Sequence, residues 1–326
     1  MSDTLMISVS GIRGHVGTDL TPEIVARYAA ALGAWSRSTP AVHPSTRPSV
    51  VLGRDSRTSG PMFARAAAAG LMSAGVDVID LGMVPTPTVQ LAVEHHHAGA
   101  GLILTASHNP VEWNALKFVG PDGIFLDAEA GRVVRDLADR GPVRAGWAEV
   151  GRVREDPGAI ARHLDAILAL PVIDVPAIRK KRFKVALDCV RGAGATAILP
   201  LLERLGCQVH GINLETDGLF PRPPEPVPEN LGDLSRLVRE TGSSVGLAID
   251  PDVDRLALVD ETGRPIGEDY TLAFAVAAVL DGRISAATIP TVVVNLSTSL
   301  VVEDAARSRG ARFIRAPVGE ANVARA

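Results

Sequence analysis

The sequence predicts an α/β protein built from consecutive layered units, and three observations carry that prediction. One plan occurs three times, at Ser49–Gly82, Phe183–Asn213 and Pro290–Gly319. Each copy has a β-branched run, a polar or glycine-rich turn, a helix-forming stretch rich in Ala, Leu and Arg, a glycine, and a second β-branched run, which is the pattern of a βαβ unit. Gly75, Gly206 and Gly310 stand where such helices end, as residues able to take the left-handed conformation. The composition agrees: of 326 residues 46% are hydrophobic and only 4% aromatic, so Ala, Val and Leu build the core. The length calls for two or three domains.

Boundaries follow from the breaks between units. Gly141–Gly158 is rich in glycine and charge and predicts a surface connection. The helical period of Ala159–Leu170 is expected to open a second domain. Asp217–Leu234 is proline-rich and predicts an extended loop ahead of a helix near Leu231. The divisions are therefore 1–150, 151–255 and 256–326, with the third unit incomplete.

The net charge is −4, with basic and acidic residues mixed along the chain. No basic stripe or DNA-reading signature argues for a nucleic-acid partner. The first ten residues lack a basic segment followed by a long apolar one, and the longest apolar run, Tyr270–Leu280, is too short to span a bilayer. Cys189 and Cys207 form no CxxC or metal-ligand spacing and are expected as buried thiols. A soluble, cytoplasmic protein with no membrane partner is the expectation. Adjacent residues do not share one face of a helix or strand, so His95–His97 is expected at a helix end or in solvent rather than on a metal.

Two stretches carry chemistry. In "LILTASHNP" an apolar strand ends at Leu104, and Asn109 and Pro110 forbid its continuation. Ser107 thus falls on a loop past the carboxyl end of a strand, where open α/β sheets bind ligands. Ala106 and His108 flank it, so the G-x-S-x-G elbow of acyl-transfer hydrolases is absent. In "VGLAIDPDVDR" a strand ends at Ile249 and Asp250, Asp252 and Asp254 follow at alternate positions. An extended segment would point all three carboxylates one way. Such a group repels itself unless a cation lies within it, and a hard divalent ion, Mg²⁺ first, fits oxygen ligands. Arg255 stands where an EF-hand loop needs glycine, which disfavours that motif. A phosphorylated Ser107 would need such a metal and nearby cations, and His108, Lys117, Arg255 and Arg13 of the glycine-rich Ser10–Gly14 turn are available.

With these residues in view, the sequence resembles the α-D-phosphohexomutases, the family of phosphoglucomutases, phosphomannomutases and phosphoglucosamine mutases. "TASHNP" is similar to the family's phosphoserine loop and "DPDVDR" to its metal loop, with Pro251 replacing the usual glycine. "GIRG" and "GRDSR" (Gly53–Arg57) match in order and spacing. The resemblance implies a phosphoserine at Ser107 whose phosphate joins Asp250, Asp252 and Asp254 on Mg²⁺. It implies Lys117 as general base and acid on the sugar hydroxyl, His108 and Arg13 as stabilisers of the transferring group, and Arg255 as the residue keeping the metal loop and Ser107 in register. It further implies a hexose 1,6-bisphosphate intermediate and a phosphosugar substrate. "PEPVPENL" (Pro224–Leu231) is similar to a segment of phosphoglucosamine mutases, so glucosamine phosphate is favoured over glucose or mannose phosphate.

Family members have four domains, with a sugar-binding loop in the third and a phosphate-binding loop in the fourth. The sequence reads as the amino-terminal portion of such a mutase, and reduced turnover of these 326 residues alone is expected. Glu320 lies in a stretch that precedes the sugar loop rather than in it. The rival readings are an aspartyl-phosphate enzyme of haloacid-dehalogenase type built on "DPDVD", and an inactive fragment that binds phosphosugar or a partner. The sequence leaves the oligomeric state open.

Overall fold

A computed structural model describes residues 5–8, 11–38, 47–142, 144–282 and 289–326. Ser10 and part of the amino-terminal segment read above lie outside them. The first unit contains β1 (Met6–Ser8), β2 (Gly11–His15), α1 (Pro22–Arg37), β3 (Ser49–Arg54), α2 (Gly60–Ser73), β4 (Asp77–Met83), α3 (Thr86–His95), β5 (Ala100–Leu104), β6 (Trp113–Val119), α4 (Ala128–Arg140), β7 (Val153–Glu155) and α5 (Ala159–Leu168). Its strands form a seven-stranded sheet in the order β1-β2-β6-β5-β3-β4-β7. Strands β5, β3, β4 and β7 run parallel, whereas β1, β2, β6 and β5 pair antiparallel.

Both faces of this sheet are covered, and the alternation along the strands shows it. Val50, Leu52, Leu102 and Leu104 pack under α1, α2 and α4, while Val51 and Ile103 pack under α3 and Ala159. Apolar side chains at every position are what a sheet buried on both faces requires.

The second unit comprises α6 (Val175–Lys181), β8 (Lys184–Asp188), α7 (Ile198–Arg204), β9 (Gln208–Ile212), α8 (Gly232–Thr241), β10 (Val245–Ile249) and β11 (Leu256–Val259), with sheet order β11-β10-β8-β9. The third has α9 (Glu268–Asp281), β12 (Thr291–Asn295), α10 (Leu300–Arg307), β13 (Arg312–Ala316) and α11 (Glu320–Ala324), with β12 parallel to β13. The three segments with one plan are the three parallel pairs β3/β4, β8/β9 and β12/β13, each joined through a helix. Gly75, Gly206 and Gly310 follow those helices at φ 82°, 72° and 74°.

One local expectation changes. The connection Gly141–Gly158 contains β7, whose three residues are exposed and add an edge to the first sheet beside β4. An exposed edge strand carries no buried apolar pattern for a sequence to show. Helix α5 also packs back on the first sheet, with Ala159 in the core beneath α3. His95 ends α3, and His97 follows at φ 49°. His96 is bonded to Asp156 at 2.7 Å. Cys189 is buried and Cys207 half-buried, both as free thiols. Among the described residues, no helix is long and apolar enough to cross a membrane.

Candidate active site at the joint of two sheets

Ser107 follows β5 on its loop in a left-handed conformation, φ 49°, and is 8% exposed. A non-glycine residue held there costs about 1 kcal/mol or more and needs surrounding bonds to keep it. Thr105 Oγ1 accepts the Ser107 amide at 2.9 Å. Arg57 supplies the rest. Its guanidinium is fully buried and donates to the carbonyls of Ser107 (2.7 Å), Asn109 (2.6 Å), Pro110 (2.5 Å) and Trp113 (2.9 Å), and to Asp55 Oδ2 (3.0 Å). Asp55 also accepts the Thr105 hydroxyl at 2.7 Å. One planar fork of donors thereby sets the course of the whole serine loop.

Lys117 comes to the same place because β6 doubles back antiparallel on β5, with Lys117 opposite Ile103. Arg13 lies on strand β2, opposite Ala115 of β6, and not on a flexible turn. Gly11, at φ 153°, makes the approach possible, since a Cβ there would lie 1.8 Å from the Leu116 carbonyl oxygen. Arg13 Nη1 donates to Asn109 Oδ1 at 2.9 Å, so it grips the serine loop.

The aspartates arrive from the second sheet. They do not lie on an extended segment. Val253 N bonds Asp250 O at 3.2 Å and Val253 sits at φ 64°, which makes a tight turn. The turn still converges the carboxylates, whose ligand atoms lie within 4.8 Å of one another. Asp250 Oδ1 accepts the amides of Asp254 and Arg255, both at 3.1 Å. Its Oδ2 accepts the Ser107 hydroxyl at 2.9 Å. Asp252 Oδ2 accepts Lys117 Nζ and Thr86 Oγ1, each at 2.8 Å. Lys117 also reaches Asp254 at 3.3 Å. Gly192 packs against the Pro251 backbone so closely that a Cβ would lie 2.6 Å from Pro251 Cα.

Charge and burial oppose each other here. Burial, and then repulsion from Asp252 and Asp254, push the Asp250 carboxyl well above its ordinary range. Burial would also raise Asp252, but the Lys117 ammonium, with hydrogen bonds from Lys117, Asp250 and Thr86, holds it below the ordinary carboxylate range. Lys117 is the counterpart: burial disfavours its charge, yet Asp252 and Asp254 raise its pKa. Burial, aided by Arg255, lowers the His108 pKa. His108 Nδ1 stands 3.5 Å from Ser107 Oγ.

Arg255 lines the same cleft as Ser107; its guanidinium bonds Glu225 Oε1 at 2.8 Å and lies 4.0 Å from Asp254. Glu225 belongs to the proline-rich loop, which thus backs the aspartate turn. A cleft of about 280 Å³ collects Arg13, Ser107, His108, Lys117, Asp254 and Arg255. Sequence reasoning assigned no role to Arg57, Thr86 or Glu225. Arg57 had a signal, since it lies within the "GRDSR" match.

Asp252 Oδ1 is buried with no hydrogen-bond partner among the described residues. A buried anionic oxygen is costly unless paired. With two further carboxylates alongside, the donor set fits a hard divalent cation such as Mg²⁺.

Fold and site together define a layered α/β protein with a serine and an aspartate triad facing each other between two sheets. Family models described as phosphoglucomutase/phosphomannomutase, alpha/beta/alpha domains I, II and III match residues 5–142, 161–263 and 267–326. The chain belongs to the α-D-phosphohexomutase family. It is 39% identical over 318 residues to a phosphoglucomutase/phosphomannomutase of Thermococcus kodakarensis, covering 97% of this chain and 67% of that protein. It is 36% identical over 318 residues to a Methanopyrus kandleri protein named "Probable phosphoglucosamine mutase", covering 97% and 66%. The crystal structure of a phosphoglucomutase/phosphomannomutase family protein from Burkholderia thailandensis aligns with a TM-score of 0.78 at 26% identity, over 98% of this chain and 68% of that one. The chain spans about two thirds of the length of these curated relatives.

Proposed function

We propose that these residues form the phosphoryl-transfer centre of a mutase interconverting hexose or hexosamine 6-phosphate and 1-phosphate. The observation that carries it is the 2.9 Å bond between Ser107 Oγ and Asp250 Oδ2, which sets a serine on the edge of the aspartate cluster. Phosphorylated Ser107, Asp250, Asp252 and Asp254 would hold Mg²⁺, which when bound supplies positive charge against the phosphoryl oxygens.

In the forward half-reaction the sugar hydroxyl attacks the phosphorus of phosphoserine. The bond from phosphorus to Ser107 Oγ breaks as that to the sugar oxygen forms. Lys117 can take the hydroxyl proton only in its neutral form, so the ammonium first gives its own proton to solvent, and the released Ser107 Oγ takes one back from solvent. The product is a hexose 1,6-bisphosphate, which turns over and returns its other phosphate to serine. Catalysis of this kind is positioning and charge stabilisation. Bonded to Asp252 and Asp254, Lys117 is an ammonium suited to giving a proton; to accept one it must first leave those carboxylates and lose a proton. His108, held toward its neutral form, donates a hydrogen bond rather than a charge. Arg13 orients the loop through Asn109.

Glucosamine phosphate is the favoured substrate, supported by "PEPVPENL" and by the name of the Methanopyrus relative. The name of the Thermococcus relative supports glucose or mannose phosphate as the second reading. A cytoplasmic, soluble setting suits such substrates. The sugar reaction is proposed for the whole protein, and phosphorylation of Ser107 for these 326 residues.

Incubation with glucose 1,6-bisphosphate and Mg²⁺, followed by mass spectrometric mapping, is expected to place one phosphate on Ser107. Label that persists unchanged in Ser107→Ala refutes the assignment. Label on an aspartate of "DPDVD" instead supports the aspartyl-phosphate rival.

A further inference from the structure

The metal loop of the second sheet is tied to the first sheet at one residue that the reaction scheme above does not use. Thr86 is 1% exposed and opens α3. Its amide donates to the Asp252 carbonyl at 2.8 Å, and its hydroxyl donates to Asp252 Oδ2 at 2.8 Å. The two residues are 166 positions apart. Pro85 occupies the cap position of α3, where no side chain provides a capping bond. A helix start leaves amides without acceptors. Asp252 provides one from another sheet, so the helix end and the metal loop complete each other.

We propose that Thr86 is a positioning residue for the metal centre, fixing both the backbone and the carboxylate plane of Asp252 so that Oδ1 is left for the cation. The inference rests on the reading of the aspartates as a metal site. Thr86 and Lys117 both occupy Oδ2, and Oδ1 has no partner among the described residues. Lys117 is poorly suited to fix the carboxylate alone. Its ammonium sits on a flexible four-carbon stem, is shared with Asp254, and is the group assigned to proton transfer. Thr86 is neutral and β-branched, and it contributes two bonds from a single helical turn. The hydroxyl thus holds the carboxylate whether or not Lys117 is engaged elsewhere.

The test is calorimetric titration of the 326-residue protein with Mg²⁺, and with Mn²⁺ as a second probe. Thr86→Val keeps the shape and removes the hydroxyl. Loss of one hydrogen bond to a charged acceptor is expected to weaken metal binding about tenfold. Thr86→Ser restores the hydroxyl and is expected to bind within about twofold of wild type, a rescue that a purely packing role for the threonine would not give. If the valine variant does not fold, Thr86→Ala against Thr86→Ser carries the same contrast. Wild-type affinity in the hydroxyl-free variant overturns the proposal, as does an equal loss in the serine variant. Asp252→Asn separates the two readings. If it loses Mg²⁺ while Thr86→Val keeps it, only the role of Thr86 fails; if wild type itself binds no metal, the metal reading fails and this inference with it.

Discussion

Replacing Arg57 by methionine tests whether one guanidinium sets the shape of the serine loop. The side chain is fully buried and bonds four loop carbonyls and one buried carboxylate. Methionine fills much of the same volume and offers no donor. Stranding one member of a buried ion pair costs about 3–5 kcal/mol. The abandoned carbonyls add at least about 1 kcal/mol between them, because the loop can admit water to some but not all. A loss of about 4–6 kcal/mol is expected, a large share of the 5–15 kcal/mol that holds a typical domain. Arg57→Lys keeps a charge opposite Asp55 but has three donors on one nitrogen, and is expected to lose about half as much. The assay is urea unfolding, with hydrogen exchange at the β5 and β6 amides to localise the effect to the first sheet. Below the melting temperature of the methionine variant, Ser107 is also expected to accept no phosphate from glucose 1,6-bisphosphate. A methionine variant within about 1 kcal/mol of wild type would refute the reasoning.

Two further outcomes concern the joints between elements. Burial alone would raise Asp156, but bonds from Arg162, His96 and the Gly158 amide hold it at about 2 against an ordinary 3.8. A depressed carboxyl stabilises the fold above its unfolded pKa, so about 2 kcal/mol is expected at neutral pH and is lost as pH falls from about 4 toward 2. Unfolding measured against pH should therefore show wild type and Asp156→Asn converging in that window, and parallel curves would contradict it. Gly218 sits at φ 72° with its Cα against the Ser56 carbonyl, where a Cβ would come within 2.4 Å. Gly218→Ala is expected to cost about 1–3 kcal/mol at the contact between the first two units, read as a lower melting temperature. An unchanged melt would show that the contact yields freely.

The repeated plan was legible because βαβ units write themselves in local pattern: apolar runs, a helix and a glycine at its end. The serine and the three aspartates were legible because a strand end followed by a chain-breaking turn is also local. Their conformation was not. Convergence was inferred from extended alternation, yet it arises from a turn with Val253 left-handed, which nothing in a β-branched residue announces. Arg13 was misplaced for a related reason. A glycine-flanked arginine looks like a turn until the partner strand β6, a hundred residues on, makes it a strand. Arg57, Thr86 and Glu225 act only through residues distant in the chain, so their roles depend on the docking of sheets rather than on any spacing. Strand β7 escaped notice because its pairing is decided at a sheet edge.

Ser107 and Asp250 are 143 positions apart and belong to different sheets. Neither sheet can assemble the centre by itself. The centre comes into being only once both have folded and met, a late event for contacts of such long sequence range. A molecule that grips both sides at once therefore draws its binding energy from the docked arrangement alone and returns it as added stability of that arrangement. A ligand bonded to both sides of the seam is then expected to raise the temperature at which the two sheets part. Occupancy of the seam would serve as a gauge of how much of the protein in a preparation is correctly put together.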